Sequence, residues 1–158
     1  MTPATTLVVD DEPMLRHLVR RILEPRVCNV VEVEDGETAL RLIQRRADSI
    51  DVVLTDLAMP GIDGFDVVDV LARHLPDLPV LCMSGHAAQL NAGRRLTVPF
   101  IHKPFTADAL CEAVVPLIER SRAWRAAERA RRRAATAADL VAEAKALRAA
   151  RAKSGGPR

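Results

Sequence analysis

Short apolar runs recur along the first two thirds of the chain, and segments that contain Gly or Pro separate them. In most of these runs the apolar residues are consecutive rather than alternating, which is typical of strands buried on both faces of a parallel sheet. Each run therefore predicts one strand. The five predicted strands are Leu7–Val9, Val27–Val33, Val52–Leu54, Val80–Met83 and Phe100–His102.

Apolar residues at helical spacing fill the segments between these runs. Strands that alternate with helices through short connections predict an α/β fold. We expect a doubly wound, five-stranded parallel sheet, covered by helices on both faces and followed by a C-terminal helical extension. The predicted helices run from Pro13 to just before Pro25, across Ala39–Ile43, from Gly64 through Leu75, weakly across His86–Thr97, and from the N-cap Thr106 through Leu117.

The composition changes abruptly after residue 118. Residues 1–118 carry 11 Lys and Arg against 17 Asp and Glu, a net charge of −6, whereas residues 119–158 carry 12 against 4, a net charge of +8. High helix propensity predicts an Ala/Arg-rich helical extension over residues 119–153, and residues 154–158 are expected to be disordered. Pro116 predicts a kink or a helix restart, and Thr136 resembles the cap of a further helix.

Three interpretations of this extension stay open. It is a solvated helix, a helix that pairs with a second copy or a partner through a thin apolar stripe, or a nucleic-acid contact through Arg131–Arg133. The extension is too short for a winged-helix output domain, which weakens the third interpretation. The apolar stripe consists of Leu140, Val141, Ala144 and Leu147.

The overall composition is that of a globular protein, with 49% hydrophobic and 28% charged residues. No apolar run approaches the roughly 18 residues that would span a bilayer, and the N-terminus lacks the basic and apolar pattern of a signal peptide. These observations predict a cytoplasmic protein without membrane association. The three cysteines, Cys28, Cys82 and Cys111, stand far apart among apolar neighbours and are expected to be core residues rather than a disulfide or metal set.

Polar side chains stand at the carboxyl ends of four predicted strands. Asp10 and Asp11 follow the first strand, Asp56 the third, Ser84 the fourth and Lys103 the fifth. Ligands of open α/β sheets bind outside the carboxyl ends of the strands, so these residues are expected to converge in one cleft. Carboxylate oxygens suit Mg²⁺, and ammonium and hydroxyl groups suit phosphoryl oxygens. Together the residues predict phosphoryl transfer to a carboxylate.

Four separated motifs give the chain a family resemblance. They are Leu7–Glu12, Asp56–Gly64, Ser84–Gly85 and Lys103–Phe105. Through these motifs, residues 5–118 closely resemble the receiver domain of response regulators in bacterial two-component signalling. The resemblance implies a flavodoxin-like strand order, 2-1-3-4-5, and a cis peptide bond before Pro104. It also implies a phosphorelay switch whose donor is a histidine kinase or a phosphotransfer protein.

The resemblance further implies a role for each residue at the strand ends. Asp56 corresponds to the family's phosphoryl acceptor, which becomes an aspartyl phosphate. Asp10 is expected to act on the metal mainly through water. The full set of expected Mg²⁺ ligands is Asp10, Asp11, Asp56 and the backbone carbonyl of Ala58, and the expected phosphoryl-binding and switch residues are Ser84, Lys103 and Phe100.

Two features depart from the usual pattern of the family. Phe100 follows Ser84 by only 16 residues, which predicts a short, shifted or disordered fourth helix. Phe100 also replaces the commoner tyrosine, so burial of the ring rather than a hydroxyl hydrogen bond is expected to drive its switching. The sequences Ser84–His86 and Val98–Phe100 resemble receivers that are attached to hybrid histidine kinases or work beside them.

The leading hypothesis is a stand-alone phospho-accepting response regulator, not an enzyme, whose output is protein association. Its expected partners are the phosphoryl donor and a second copy of the chain, bound through the C-terminal helix or through the surface of the fourth helix and fifth strand. The alternative is a transcriptional or RNA-binding regulator that acts through the basic extension. A phosphatase with an aspartyl intermediate is disfavoured because Asp56 precedes Leu57 and Ala58, with no second acid two residues on.

Overall fold

The computed structural model describes residues 3–85 and 96–154, and it describes residues 150–154 by their backbone alone. Within these residues, five strands form one sheet: β1 (Thr5–Val9), β2 (Asn29–Val33), β3 (Val52–Asp56), β4 (Val80–Ser84) and β5 (Phe100–His102). Every neighbouring pair is parallel, and the order is β2-β1-β3-β4-β5. The predicted doubly wound α/β fold and its strand order are confirmed.

The described helices are α1 (Pro13–Leu23), α2 (Gly36–Arg46), α3 (Gly64–His74) and a last helix (Ala107–Ser154), with a 3₁₀ turn at Ala47–Ser49. Short-range signals in the sequence set where they begin. Pro13 occupies the first turn of α1, where its missing N–H costs nothing. Asp35 caps α2 by accepting the Thr38 N–H at 2.7 Å. Asp63 and Asp66 form a reciprocal capping box at the start of α3.

The sheet separates two hydrophobic clusters, because successive side chains along a strand point to opposite faces. In β1, Val8 joins the cluster that includes residues of α1 and the last helix, whereas Leu7 and Val9 join the one that includes residues of α2 and α3. Strands β3 and β4 are buried along their whole length, in agreement with their continuous apolar runs. The central strands therefore hold the residues at their carboxyl ends in a packed frame.

The cysteines behave as the sequence predicts. Cys28 and Cys82 are buried in different clusters, Cys111 is half-buried against the cluster that contains Cys28, and all three thiols are free. Burial raises the pKa of the Cys28 thiol, and it raises the pKa of Cys82 to about 12. These two thiols are therefore protonated at neutral pH and act as small apolar core residues.

The last helix corrects two predictions. It runs without interruption through Pro116 and Thr136, so no helix restarts at either residue, while a kink at Pro116 stays a prediction. Val114 and Leu117 are buried on either side of Pro116, and their packing holds the helix together where proline cannot donate a hydrogen bond. The Thr136 hydroxyl donates to the carbonyl of Arg132 at 2.9 Å, which is a bond inside a helix rather than a cap.

Two further predictions concern segments at the limits of the described residues. The tail was expected to be disordered from residue 154, but Ser154 is the last residue of the helix, and residues 155–158 lie outside the described part. The helix expected across His86–Thr97 falls mainly on residues 86–95, which also lie outside it. Leu96 and Thr97 are described and belong to no helix.

By its internal contacts the chain divides into two compact units, Met1–Arg122 and Ala123–Arg158. The limits proposed from the sequence, 5–118 for the receiver and 119–153 for the extension, remain predictions. Among the described helices, none has both the length and the apolar character that crossing a bilayer requires.

Candidate functional site

The carboxyl ends of β1, β3, β4 and β5 bring the candidate polar residues to one edge of the sheet. Asp10 directly follows β1, Asp56 and Ser84 are the last residues of β3 and β4, and Lys103 directly follows β5. Because β1 and β3 are neighbours in the sheet, Asp10 and Asp56 end adjacent strands. The structure thus gathers residues that are up to 93 positions apart in the chain.

Three carboxylates form the centre of this edge. One oxygen each from Asp10, Asp11 and Asp56 lies within 4.8 Å of the other two. Asp10 is fully buried and Asp56 is 7% exposed, whereas Asp11 is open to solvent. Oxygen donors that are partly accessible to water are the ligands that Mg²⁺ takes in proteins. The acidic cluster therefore fits the expected cofactor.

Lys103 ties two of these carboxylates together. Its Nζ donates to Asp10 Oδ2 at 2.9 Å and lies 3.1 Å from Asp56 Oδ1. Burial by itself would lower the pKa of Lys103, but the hydrogen bonds and charges of Asp10 and Asp56 together raise it. The ammonium group is therefore charged at neutral pH and offsets part of the repulsion between the acids. The peptide bond from Lys103 to Pro104 is cis, as the family resemblance implies.

The surroundings of Asp56 disfavour the ionised form of its carboxyl group. Burial raises the pKa of Asp56, while the charge and hydrogen bond of Lys103 oppose this increase. The charge of Asp10 raises the pKa further, and a hydrogen bond from the Ala58 backbone lowers it. The net result is a raised pKa, so Asp56 gains more from a nearby cation than an exposed aspartate does. Ala58 is exposed, and its carbonyl stays a predicted metal ligand.

The loop after β3 depends on a close approach at Gly64. A Cβ on Gly64 would lie 2.1 Å from the Asp56 carbonyl oxygen and 2.8 Å from the Leu57 Cα, and both are backbone atoms. Only glycine fits there. The Gly64 N–H donates to the Leu57 carbonyl at 3.2 Å, and Gly61 supplies the left-handed turn with a φ of 74°. The first turn of α3 therefore lies directly against the backbone of Asp56.

Ser84 and Phe100 have different environments on the neighbouring strands β4 and β5. Ser84 is fully buried, and its carbonyl accepts the backbone N–H of Lys103 at 2.8 Å. Phe100 is 43% exposed and meets His102 edge-on, with ring centroids 5.0 Å apart. In the ladder Phe100 pairs with Cys82, two residues before Ser84. The structure thus places Ser84 beside Lys103 and leaves Phe100 at the surface.

Two contacts at this edge have no counterpart among the residues singled out from the sequence. The Glu12 N–H donates to Asp10 Oδ1 at 2.8 Å, and the Arg16 guanidinium donates to the Asp10 carbonyl. A hydrogen bond donated by a backbone N–H does not depend on the residue type, so the sequence could not indicate it. Arg16 does leave a signal, because it stands three and seven residues before the buried Val19 and Leu23, on the apolar face of α1.

A family model described as the response regulator receiver domain matches residues 6–115 of the chain, from β1 to the first turns of the last helix. The chain belongs to this family. Receiver domains accept a phosphoryl group and act as switches in two-component signalling, and that is the function of the matched region. The recognition made from the four motifs is confirmed.

Known relatives share the receiver but differ in length. The transcriptional regulatory protein GlrR of Escherichia coli is 31% identical over 122 residues, which are 75% of this chain and 27% of that protein. The chemotaxis protein CheY of Pseudomonas aeruginosa is 31% identical over 120 residues, 72% of this chain and 95% of that protein. A crystal structure of a response regulator receiver domain protein from Clostridium thermocellum has a TM-score of 0.68 and 28% identity, and the match covers 77% of this chain and 98% of that one. The chain therefore spans about a quarter of the length of relatives such as GlrR.

Proposed function

We propose that Asp56 is the phosphoryl acceptor of this receiver and that Asp10, Asp11, Asp56 and the backbone carbonyl of Ala58 hold Mg²⁺ beside it. The supporting observation is the set of three carboxylates within 4.8 Å of one another, two of which share Lys103. Asp10 has no exposed surface for a donor to reach, whereas Asp56 keeps 7% of its surface exposed at the end of a central strand. Asp56 is therefore the buried acid that a phosphoryl group can reach.

The proposed transfer exchanges one bond of phosphorus for another. As a carboxylate oxygen of Asp56 bonds to phosphorus, the phosphorus–nitrogen bond of a donor phosphohistidine breaks. Its electron pair stays on the imidazole nitrogen, which takes up a proton from water. Mg²⁺, when bound, would neutralise charge on the phosphoryl oxygens. Lys103 is held close enough to Asp56 to pair with one phosphoryl oxygen, and the Ser84 hydroxyl is proposed to donate to another.

Phosphorylation is proposed to act as a switch through the negative charge and acceptor oxygens that it adds at Asp56. Ser84 would move to bind the new oxygens, and the neighbouring strand β5 would respond through Phe100. Phe100 is 43% exposed in this structure. We propose that its ring becomes buried when Asp56 is phosphorylated. The surface that changes would be the one around β5.

The proposed donor is a histidine kinase or a phosphotransfer protein, and we place both it and this chain in the cytoplasm. The proposed output is association with a second copy, through the last helix or through the surface around β5. Leu140, Val141 and Leu147 are 61%, 53% and 56% exposed on the last helix, which supports the first of these surfaces. Catalysis by the chain is proposed to be limited to its own phosphorylation and dephosphorylation.

An Asp56→Asn variant tests the acceptor. Wild-type protein with Mg²⁺ and acetyl phosphate is expected to gain the mass of one phosphoryl group, and Asp56→Asn is expected to lose this labelling because an amide is not a competent acceptor. Asp51→Asn is a matched control, since Asp51 is 8% exposed and accepts the Thr5 N–H at 2.8 Å at the opposite end of β3. Labelling that survives in Asp56→Asn would contradict the assignment.

A further inference from the structure

We infer that Arg16 is a positioning residue for the metal-binding acids, an inference that rests on the proposed function. Arg16 lies on α1, and its Nη1 donates to the backbone carbonyl of Asp10. That carbonyl belongs to the peptide group that joins Asp10 to Asp11. Arg16 therefore acts on the acidic cluster through the backbone between two of its three members.

The other polar groups of Asp10 are held by three separate segments of the chain. Its N–H donates to the Val33 carbonyl of β2 at 3.3 Å. Its carboxylate accepts the Glu12 N–H at 2.8 Å on Oδ1 and the Lys103 ammonium group at 2.9 Å on Oδ2. The carbonyl is the remaining polar group, and Arg16 binds it. With the hydrogen bond from Arg16, the backbone N–H, the carboxylate and the carbonyl of Asp10 are all bonded. The same bond holds the plane of the peptide group between Asp10 and Asp11.

The hydrogen bond from Arg16 to the Asp10 carbonyl matters more for the position of Asp11 than for that of Asp10. Asp11 is exposed, yet one of its carboxylate oxygens lies within 4.8 Å of both other acids. Repulsion among three carboxylates drives the exposed one toward solvent. The carbonyl of Asp10 and the N–H of Asp11 lie in one planar group, so a bond to the carbonyl fixes where this group places the Asp11 Cα and limits the positions that the Asp11 side chain can reach. Arg16 therefore opposes the outward movement of Asp11.

Glu32 of β2 keeps Arg16 in place. Arg16 Nε lies 3.9 Å from Glu32 Oε2, and the two side chains are only 13% and 23% exposed. Glu32 also accepts a hydrogen bond from Arg20, which pairs in addition with Glu24 at 2.8 Å. Arg16 and Arg20 thus share the Glu32 carboxylate. Among the described contacts, the Arg20 side chain binds only acidic side chains, whereas the Arg16 side chain also donates to the Asp10 carbonyl. Arg20 is the natural control.

Arg16→Met tests the inference, and Arg20→Met is its matched control. Both variants remove a guanidinium beside Glu32 and keep an unbranched apolar side chain, but only Arg16→Met removes the donor at Asp10. Titration calorimetry of the full chain with Mg²⁺ is expected to show about tenfold weaker binding for Arg16→Met, the effect typical of residues that orient metal ligands. Arg20→Met is expected to bind Mg²⁺ almost as the wild type does.

Amide hydrogen exchange without Mg²⁺ provides a readout that is independent of the metal. Arg16→Met is expected to speed exchange at the Glu12 amide, which bonds Asp10 Oδ1, while exchange in β3 stays unchanged. Arg16→Lys is expected to recover part of the lost Mg²⁺ affinity, because an ammonium group also donates to a carbonyl. A variant that had merely lost stability would speed exchange throughout the sheet and would not respond to this conservative replacement.

Two outcomes would overturn the inference alone. They are wild-type Mg²⁺ affinity in Arg16→Met, and equal losses of affinity in Arg16→Met and Arg20→Met. Either result would leave Asp56 as the acceptor if Asp56→Asn still abolishes labelling. Wild-type protein that neither binds Mg²⁺ nor becomes labelled would instead overturn the proposed function, and the inference with it.

Discussion

At the scale of single residues, Asp56 combines two requirements that oppose each other. Its place as the last residue of the buried strand β3 holds it in position, but burial disfavours the ionised form that a nucleophile needs. Lys103 at 3.1 Å relieves part of this conflict, and Asp10 adds to it. Further positive charge at the site would therefore stabilise the ionised form of Asp56.

Asp56→Asn is expected to stabilise the Mg²⁺-free protein at neutral pH. The pKa of Asp56 is raised in the folded state by burial, so ionisation of Asp56 costs folding free energy above that pKa. As the pH falls and the carboxyl group takes up its proton, the cost disappears. The advantage of Asp56→Asn should therefore be present at neutral pH and shrink toward zero in acid, which urea unfolding of both proteins in a pH series with a chelator measures.

Mg²⁺ supplies the control for this prediction. Addition of Mg²⁺ should stabilise the wild type more than Asp56→Asn, because the ligand binds the folded state and one carboxylate is missing in the variant. If Asp56→Asn were instead less stable than the wild type at neutral pH without Mg²⁺, the ion pair with Lys103 would outweigh the cost of burial.

At the scale of elements, two threonines in similar sequences have opposite roles. Thr106 Oγ1 accepts the Ala109 N–H at 3.1 Å and caps the last helix, whereas Thr136 donates to the Arg132 carbonyl inside it. The residues before them explain the difference. Pro104 disfavours helix just ahead of Thr106, while Ala and Arg residues of high helix propensity precede Thr136. A capping residue can begin a helix only where no helix is already present.

Substitution of the two threonines by alanine is expected to have opposite effects. Thr106→Ala should lower the free energy of unfolding by about 1 kcal/mol, because it removes a cap. Thr136→Ala should keep or slightly raise the helical content, because alanine has the higher helix propensity. Urea unfolding and circular dichroism measure these changes, and a loss of helical signal in Thr136→Ala would restore the interpretation of Thr136 as a cap.

At the scale of the whole molecule, charge is divided along the chain. Residues 1–118 carry a net charge of −6 and residues 119–158 one of +8. From residue 129 to residue 149, every side chain of the last helix is exposed, and the large apolar ones are Leu140, Val141 and Leu147. Such a narrow stripe on a basic, Ala-rich helix supports only weak association.

The full chain is accordingly expected to self-associate weakly and in a concentration-dependent way. The double variant Leu140→Ser/Leu147→Ser should abolish this association, because it removes most of the apolar surface of the stripe. Met14→Ser is the matched control, since it removes a 76% exposed apolar side chain from α1 instead. Light scattering over a concentration series distinguishes the three proteins.

A different outcome would favour the nucleic-acid alternative. That outcome is a chain that stays monomeric at every concentration and binds nucleic acid with an affinity that falls steeply as salt increases. Replacement of the basic run Arg131–Arg133 by glutamine should then weaken binding, whereas Leu140→Ser/Leu147→Ser should not. Binding whose affinity does not change with salt concentration would argue against the nucleic-acid alternative.

Several features of the site could be predicted from the sequence, because parallel strands end along one edge. Asp10, Asp11 and Asp56 follow apolar runs, and the structure brings their carboxylates together. The orientation of Phe100 could not be predicted in this way. It stands at the start of β5, the edge strand of the described sheet, and 43% of Phe100 is exposed among the described residues.

The sequence by itself determined the elements, their order and the residue types at the strand ends, because apolar periodicity, caps and turns are short-range properties of the chain. Only the tertiary structure decided that Lys103 reaches Asp10 across 93 positions and that Arg16 binds the Asp10 carbonyl. Distances between strand ends and bonds to backbone groups depend on how all the strands and helices pack together. No local pattern of residues carries that information.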